Sequence, residues 1–110
     1  MKTPSPAATE VRTSRTGARF TISIRGRFDF SCHQEFRKAY EQIEPCTEID
    51  VDLSQVDYLD SSALGMMLVL KDEAHGKPIR VVGCRPAVKR ILDIANFGRI
   101  FPITAGASGA

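Results

Sequence analysis

Two stretches of the chain carry apolar residues at every second position, and each is followed by a stretch in which apolar residues recur three and four apart. In the first, Phe20, Ile22 and Ile24 alternate with Thr21, Ser23 and Arg25. In the second, Ile49, Val51 and Leu53 alternate with Glu48, Asp50 and Asp52. Period two describes a strand with one buried face. Phe36, Ala39, Tyr40 and Ile43 then follow at helical spacing after the first stretch, and Ala63, Leu64, Met67, Leu68 and Lys71 after the second. Strands that alternate with helices restrict the chain to an α/β fold in which crossover helices pack on a sheet. The extended residues before the first long helix predict a mixed, mostly parallel sheet of four to five strands in a single domain.

The boundaries follow from local signals. Gly26 ends or bends the first strand, and Arg27-Phe28-Asp29-Phe30 leads into a turn. Ser31, with Gln34 three residues later, fits a capping box, and Glu44-Pro45 stops the helix that follows. After Leu53, Val56 and Leu59 continue apolar contacts through a loop. Asp60-Ser61-Ser62 starts the second helix, Gly76 ends it, and Pro78 follows. Ile79 to Cys84 reads as a short strand. Pro86 opens a third helix bearing Val88, Ile91, Leu92 and Ile94, which Asn96 to Gly98 terminate. Ile100-Phe101-Pro102-Ile103 returns as a last strand. Residues 1–17 are expected to be a flexible segment with room for a short edge strand at 8–12, residues 18–103 the domain, and residues 104–110 a flexible tail.

Composition removes several function classes. The 110 residues are 43% apolar and 25% charged, which excludes wholesale disorder. Fifteen basic residues against thirteen acidic ones leave a net charge of +2, a poor match to a dedicated nucleic-acid binder. The longest uncharged apolar run, Ala63 to Leu70, falls far short of the roughly 20 residues of a membrane span. No secretory leader is apparent, so a cytoplasmic location is expected. Cys32, Cys46 and Cys84 are odd in number and lack Cys-x-x-Cys spacing, which suits buried thiols in a reducing compartment. His33 and His75 lack ligand spacing, so neither a metal nor any other cofactor is expected. There is no Gly-x-Ser-x-Gly elbow and no Gly-x-x-x-x-Gly-Lys loop, and the chain is not expected to be an enzyme. The charge is segregated nonetheless. Residues 1–20 hold four cations against one acid (+3), residues 21–70 four against nine (−5), and residues 71–110 seven against three (+4).

The most informative segment is Asp52-Leu53-Ser54-Gln55-Val56-Asp57-Tyr58-Leu59-Asp60-Ser61-Ser62-Ala63-Leu64-Gly65. It resembles the signature of STAS-domain anti-sigma-factor antagonists, in which a strand and short loop lead to an Asp-Ser-Ser turn that opens a helix. Gly26-Arg27-Phe28-Asp29 matches the family's early turn, and Arg85 to Asp93, with Phe97 and Ile100 downstream, matches its penultimate helix. The resemblance covers residues 20–103. Ala63 departs from it, standing where the family often has glycine, and alanine suits a helix interior better. The resemblance implies the STAS fold and a protein–protein switch. The unphosphorylated protein would bind an anti-sigma factor of the serine-kinase type, phosphorylation by that kinase would release it, and a serine phosphatase of the PP2C type would reset it. The phosphoacceptor maps to Ser61, and the expected partner-binding set is Asp29, Asp60, Ser61, Ser62, Leu64 and Met66. The alternative implied is a STAS subunit of another assembly, such as a lipid-transport ATPase complex or a stress-signalling scaffold, with Ser61 as a contact or cap.

The switch has a physical rationale of its own. A phosphate adds about −1.5 to −2 charges at pH 7 and is accommodated at a helix N-terminus by free N–H groups and the helix dipole. A partner face fitted to a neutral hydroxyl would meet a dianion beside Asp29, Asp57 and Asp60. Like-charge juxtaposition costs several kcal/mol, and about 3 kcal/mol already exceeds a hundredfold in affinity. Ser62 lies one residue deeper in the helix, where its hydroxyl is expected to bond locally. Met66 and Met67 fit helix packing, with one of them available to an adaptable contact face.

Overall fold

The computed structural model describes residues 9–42 and 46–105. Its elements are β1 (Glu10–Thr16), β2 (Arg19–Phe28), α1 (His33–Tyr40), β3 (Glu48–Leu59), α2 (Ser61–Glu73), β4 (Ile79–Cys84), α3 (Pro86–Ile94) and β5 (Ile103–Ala105). Short 3-10 turns, Phe30–Cys32 and Phe97–Arg99, precede α1 and follow α3. The five strands form one sheet in the order β1-β2-β3-β4-β5. Only β1 and β2 are antiparallel; the other three pairs are parallel and joined through helices. The mixed, mostly parallel sheet is the one that the alternation predicts.

The side chains that alternate in the sequence divide the sheet into two faces. Phe20, Ile22, Ile24, Ile49, Val51 and Leu53 are buried on the face that the helices cover, against Phe36, Met67, Leu70 and Leu92. Each such side chain withdrawn from water contributes about 1.5–3 kcal/mol. The Phe28 and Phe36 rings meet at 5.3 Å and join β2 to α1. The opposite face is polar. There Asp50, only 7% exposed, is clasped by the Arg80 guanidinium through two hydrogen bonds of 2.9 Å, with Arg19 at 3.7 Å.

Four boundaries differ from the sequence expectation. β1 runs from Glu10 to Thr16, beyond the edge strand expected at 8–12, because it pairs with β2 along its whole length while burying almost nothing. β3 does not end at Leu53. It continues to Leu59, with Val56 and Leu59 buried, and two register irregularities opposite Ser23–Arg27 absorb the break in alternation. Gly26, at φ +88°, supplies the second of these irregularities and lets β2 continue to Phe28. The last strand begins at Ile103 and reaches Ala105, while Ile100 belongs to the turn before it. The expected stop at Glu44-Pro45, the helical placement of Ile43, and most of the two terminal segments lie outside the described residues.

Arg85 precedes α3 and Pro86 opens it, as expected. All three cysteines are free and buried. Burial pushes the thiols of Cys32 and Cys84 up to about 11.

Candidate functional site

The parallel register of β2 and β3 creates the site. Phe28 of β2 pairs with Leu59 of β3, so the next residues, Asp29 and Asp60, leave the carboxyl edge of the sheet side by side. Both use the same local chemistry. Asp60 has an extended backbone and caps α2: its Oδ1 accepts from the amides of Ser62 (3.0 Å) and Ala63 (3.3 Å) and from the Ser62 hydroxyl (2.6 Å). Asp29 caps the 3-10 turn before α1, its Oδ1 accepting from the Ser31 amide (3.0 Å) and the Ser31 hydroxyl (2.5 Å). The capping box expected at Ser31 and Gln34 is therefore replaced. Ser31 is capped rather than capping, and α1 starts at His33.

The Ser31 hydroxyl, then the Arg27 side chain, then the Ser31 amide hold the Asp29 carboxyl below its ordinary value. Arg27 donates from Nε to Asp29 Oδ2 at 3.1 Å and lays its guanidinium 4.1 Å from the centre of the Tyr58 ring, its cross-strand partner. Neither Arg27 nor Tyr58 was among the expected site residues. The proximity of Arg27 to Asp29 in sequence was a usable signal, whereas Tyr58 becomes a neighbour only through the strand register.

The two serines are in different situations. Ser62 is half-buried and its hydroxyl is committed to Asp60. Ser61 is the exposed first residue of α2, and its hydroxyl makes no hydrogen bond among the described residues. The donors expected to receive an added anion are largely engaged: Asp60 takes the amides of Ser62 and Ala63 with its carboxylate, and that of Leu64 with its backbone carbonyl at 3.3 Å. A negative group on Ser61 would thus sit beside a capping carboxylate.

Leu64 is half-buried and packs against the core. Met66, expected at the contact face, is only 6% exposed. It lines a cavity of about 30 Å³ between α1 and α2 with His33, Phe36, Tyr40 and Val69, so of its two expected roles the helix-packing one is seen. The outer face of α2 instead presents Ser61, Gly65 and Leu68 in one stripe, with Val69 beside it; Leu68 is 43% and Val69 48% exposed. Phe30, 65% exposed and stacked on His33 at 4.8 Å, and the 41% exposed Tyr58 add apolar surface at the sheet edge. Asp57 is exposed on β3. Among the described residues no group of three or more His, Cys, Asp or Glu could hold a metal, and no helix is long and apolar enough to cross a membrane.

Comparisons with known proteins agree with this fold. The family pattern described as "Mlab, STAS domain" matches residues 11–103. A STAS-domain containing protein of Pseudomonas aeruginosa (strain UCBPP-PA14) is 50% identical over 95 residues, covering 83% of this chain and 93% of that one. Among solved structures, an anti-sigma factor antagonist from Mycobacterium paratuberculosis superposes with a TM-score of 0.82 at 18% identity, covering 94% of this chain and 92% of its own. The phosphorylated form of the Bacillus cell fate determinant SpoIIAA superposes with a TM-score of 0.63 at 16% identity, covering 90% and 94%.

Proposed function

Since the chain belongs to the STAS-domain family, we propose that it acts as an anti-sigma factor antagonist whose grip on its partner is released by phosphorylation of Ser61. The observation that carries this reading is the exposed, unbonded Ser61 hydroxyl at the head of an uncharged stripe, beside two matched aspartates. Leu68, Val69, Phe30 and Tyr58 supply the apolar contact area that a partner covers, with Asp29 and Asp60 on its rim. The partner is an anti-sigma factor that is also a serine kinase. In the complex the Ser61 oxygen attacks the γ-phosphorus of the kinase's ATP, the bond from that phosphorus to the β,γ-bridging oxygen breaks, ADP leaves, and the serine proton passes to a base on the kinase. The chain is a substrate in this step, not an enzyme.

The phosphorylated side chain carries about −1.5 to −2 charges beside Asp60. Asp60 keeps its hydrogen bonds to Ser62 and Ala63, so the helix start survives while the contact face becomes repulsive. About 3 kcal/mol of like-charge repulsion weakens binding by more than a hundredfold. A serine phosphatase of the PP2C type restores the hydroxyl, and the cycle takes place in the cytoplasm.

A second reading is a STAS subunit of another assembly, such as a lipid-transport ATPase complex or a stress-signalling scaffold. It uses the same face with Ser61 as an unmodified contact, and the match of residues 11–103 to the family described as "Mlab, STAS domain" supports it.

Wild-type, Ser61→Ala and Ser61→Asp proteins as baits in a host lysate separate the two. The switch requires that the wild type captures a kinase that phosphorylates it once by intact mass, and that Ser61→Ala stays unmodified. Ser61→Asp must bind that kinase at least about a hundredfold more weakly with an unchanged circular dichroism spectrum. Equal phosphorylation of Ser61→Ala, or undiminished binding by Ser61→Asp, refutes it.

A further inference from the structure

At the far end of α2 from Ser61, a cleft of about 230 Å³ opens between the last turn of that helix, the start of β4 and the turn before β5. Its polar wall is Lys71, Lys77 and Arg80; its apolar wall includes Ile100, Phe101 and Pro102. Among the described residues no acidic side chain lines it. The three cations are not equivalent. Arg80 is fixed by its two-point hold on Asp50, which uses Nε and one terminal nitrogen and leaves the other terminal nitrogen outside the pair. Among the described residues, neither the Lys71 nor the Lys77 ammonium makes an ion pair or hydrogen bond. Two ammonium groups without a protein partner thus border a recess whose other side is hydrocarbon, while the Arg80 guanidinium is held with Asp50 on the opposite face of the sheet.

A carboxylate-poor wall of this kind places excess positive charge where an oxyanion would relieve it, and the apolar wall gains by covering a small non-polar body. We propose that this cleft binds a small organic oxyanion, a phosphate monoester or carboxylate attached to one compact apolar group. Lys71 and Lys77 hold the oxyanion as mobile point charges, and Ile100, Phe101 and Pro102 cover the apolar portion. An inorganic ion fills only the polar half, and a neutral aromatic alcohol only the other half.

The site is independent of the Ser61 reading, because it lies at the amino edge of the parallel strands and shares no residue with the switch surface. α2 connects the two: thirteen residues at 1.5 Å rise separate Ser61 from the cleft by roughly 20 Å.

Amide chemical-shift titration of the full chain tests the proposal with four probes: phenyl phosphate, phenol, inorganic phosphate and dihexanoylphosphatidic acid. Phenyl phosphate is expected to give saturable shifts centred on Lys77, Ile79 and Ile100, and to bind at least about tenfold more tightly than phenol or inorganic phosphate. Lys71→Gln with Lys77→Gln should weaken it by about tenfold or more, while Lys38→Gln on α1 leaves it unchanged. Saturable binding of the phosphatidic acid in place of phenyl phosphate supports the same site with a lipid headgroup as the source. Shifts that fail to saturate, that centre on Ser61, or that persist undiminished in the double variant overturn it. The amide spectrum of the double variant reports directly whether it is folded.

Discussion

Asp60→Ala separates the two jobs that the Asp-Ser-Ser turn could perform, because capping falls on Asp60 and the proposed phosphoacceptance on Ser61. Asp60 Oδ1 receives three hydrogen bonds at the start of α2, two from amides and one from the Ser62 hydroxyl. Losing an N-cap of this kind costs about 0.5–2 kcal/mol, and removing a carboxylate from the positive end of a helix about 0.3–1 kcal/mol more. Asp60 and Ser62 are both half-buried, so water reaches part of the stranded donors and limits the penalty. The expected loss is about 2 kcal/mol. With a urea slope of about 1–1.5 kcal/mol/M for a domain of this size, the unfolding midpoint should fall by more than about 1 M. Ser61→Ala, which removes a hydroxyl without a hydrogen bond, should stay within about 0.5 kcal/mol of the wild type. Asp60→Asn should fall between, since it keeps an acceptor and loses the charge. Urea titration at pH 7 followed by far-ultraviolet circular dichroism measures all three. If Ser61→Ala is as destabilised as Asp60→Ala, Ser61 is a structural cap and the division of labour collapses.

Two further outcomes follow from the packing. Gly83 has φ +74°, and a Cβ built there would lie 2.9 Å from the Ser54 Cβ and 3.2 Å from Asp52 Oδ1, so Gly83→Ala should lower stability by about 2 kcal/mol or more and the melting temperature by roughly 10 °C. A melting temperature unchanged by that substitution would contradict the close approach. Burial raises the Cys32 and Cys84 thiols from 9.0 to about 11, so each favours the folded state fully below pH 9 and loses that contribution as pH rises towards 11. The urea midpoint should decline over this window, less steeply in Cys84→Ala, and native thiols should label slowly with iodoacetamide at pH 8; rapid labelling would disprove their burial.

Much of the fold can be traced to single residues in the sequence, and the gaps have physical causes. Phe20, Ile22, Ile24 and Ile49, Val51, Leu53 announce β2 and β3 because one face of each strand is buried and the other is polar. β1 gives no such signal: its residues bury little, and backbone pairing with β2 defines it. Ser54 and Gln55 break the alternation of β3, and only the bulged register carries the strand past them to Leu59. At the site, the Asp60 cap at the start of α2 was legible because caps are short-range chemistry. Asp29 and Ser31 are both good caps two residues apart, and backbone geometry rather than residue type selects Asp29. Met66 was misplaced on the contact face because α2 carries no charge from Ser61 to Leu70. A helix apolar on all sides does not disclose which side the core takes.

The shared ladder beneath Asp29 and Asp60 has a consequence for how partner choice can diversify. On the proposed switch the modified residue lies in the turn after β3, at Ser61 beside the Asp60 cap. The turn after β2 carries the exposed Phe30 at the same edge of the sheet, and its own Asp29–Ser31 bonds and the Arg27 contacts hold it in shape without any help from Ser61. Residue 30 is therefore a position where the proposed contact could be rewritten while the Asp60–Ser62 turn is left intact. On the proposed switch, related chains would keep one phosphorylation step and address it to different partners through a single exposed side chain.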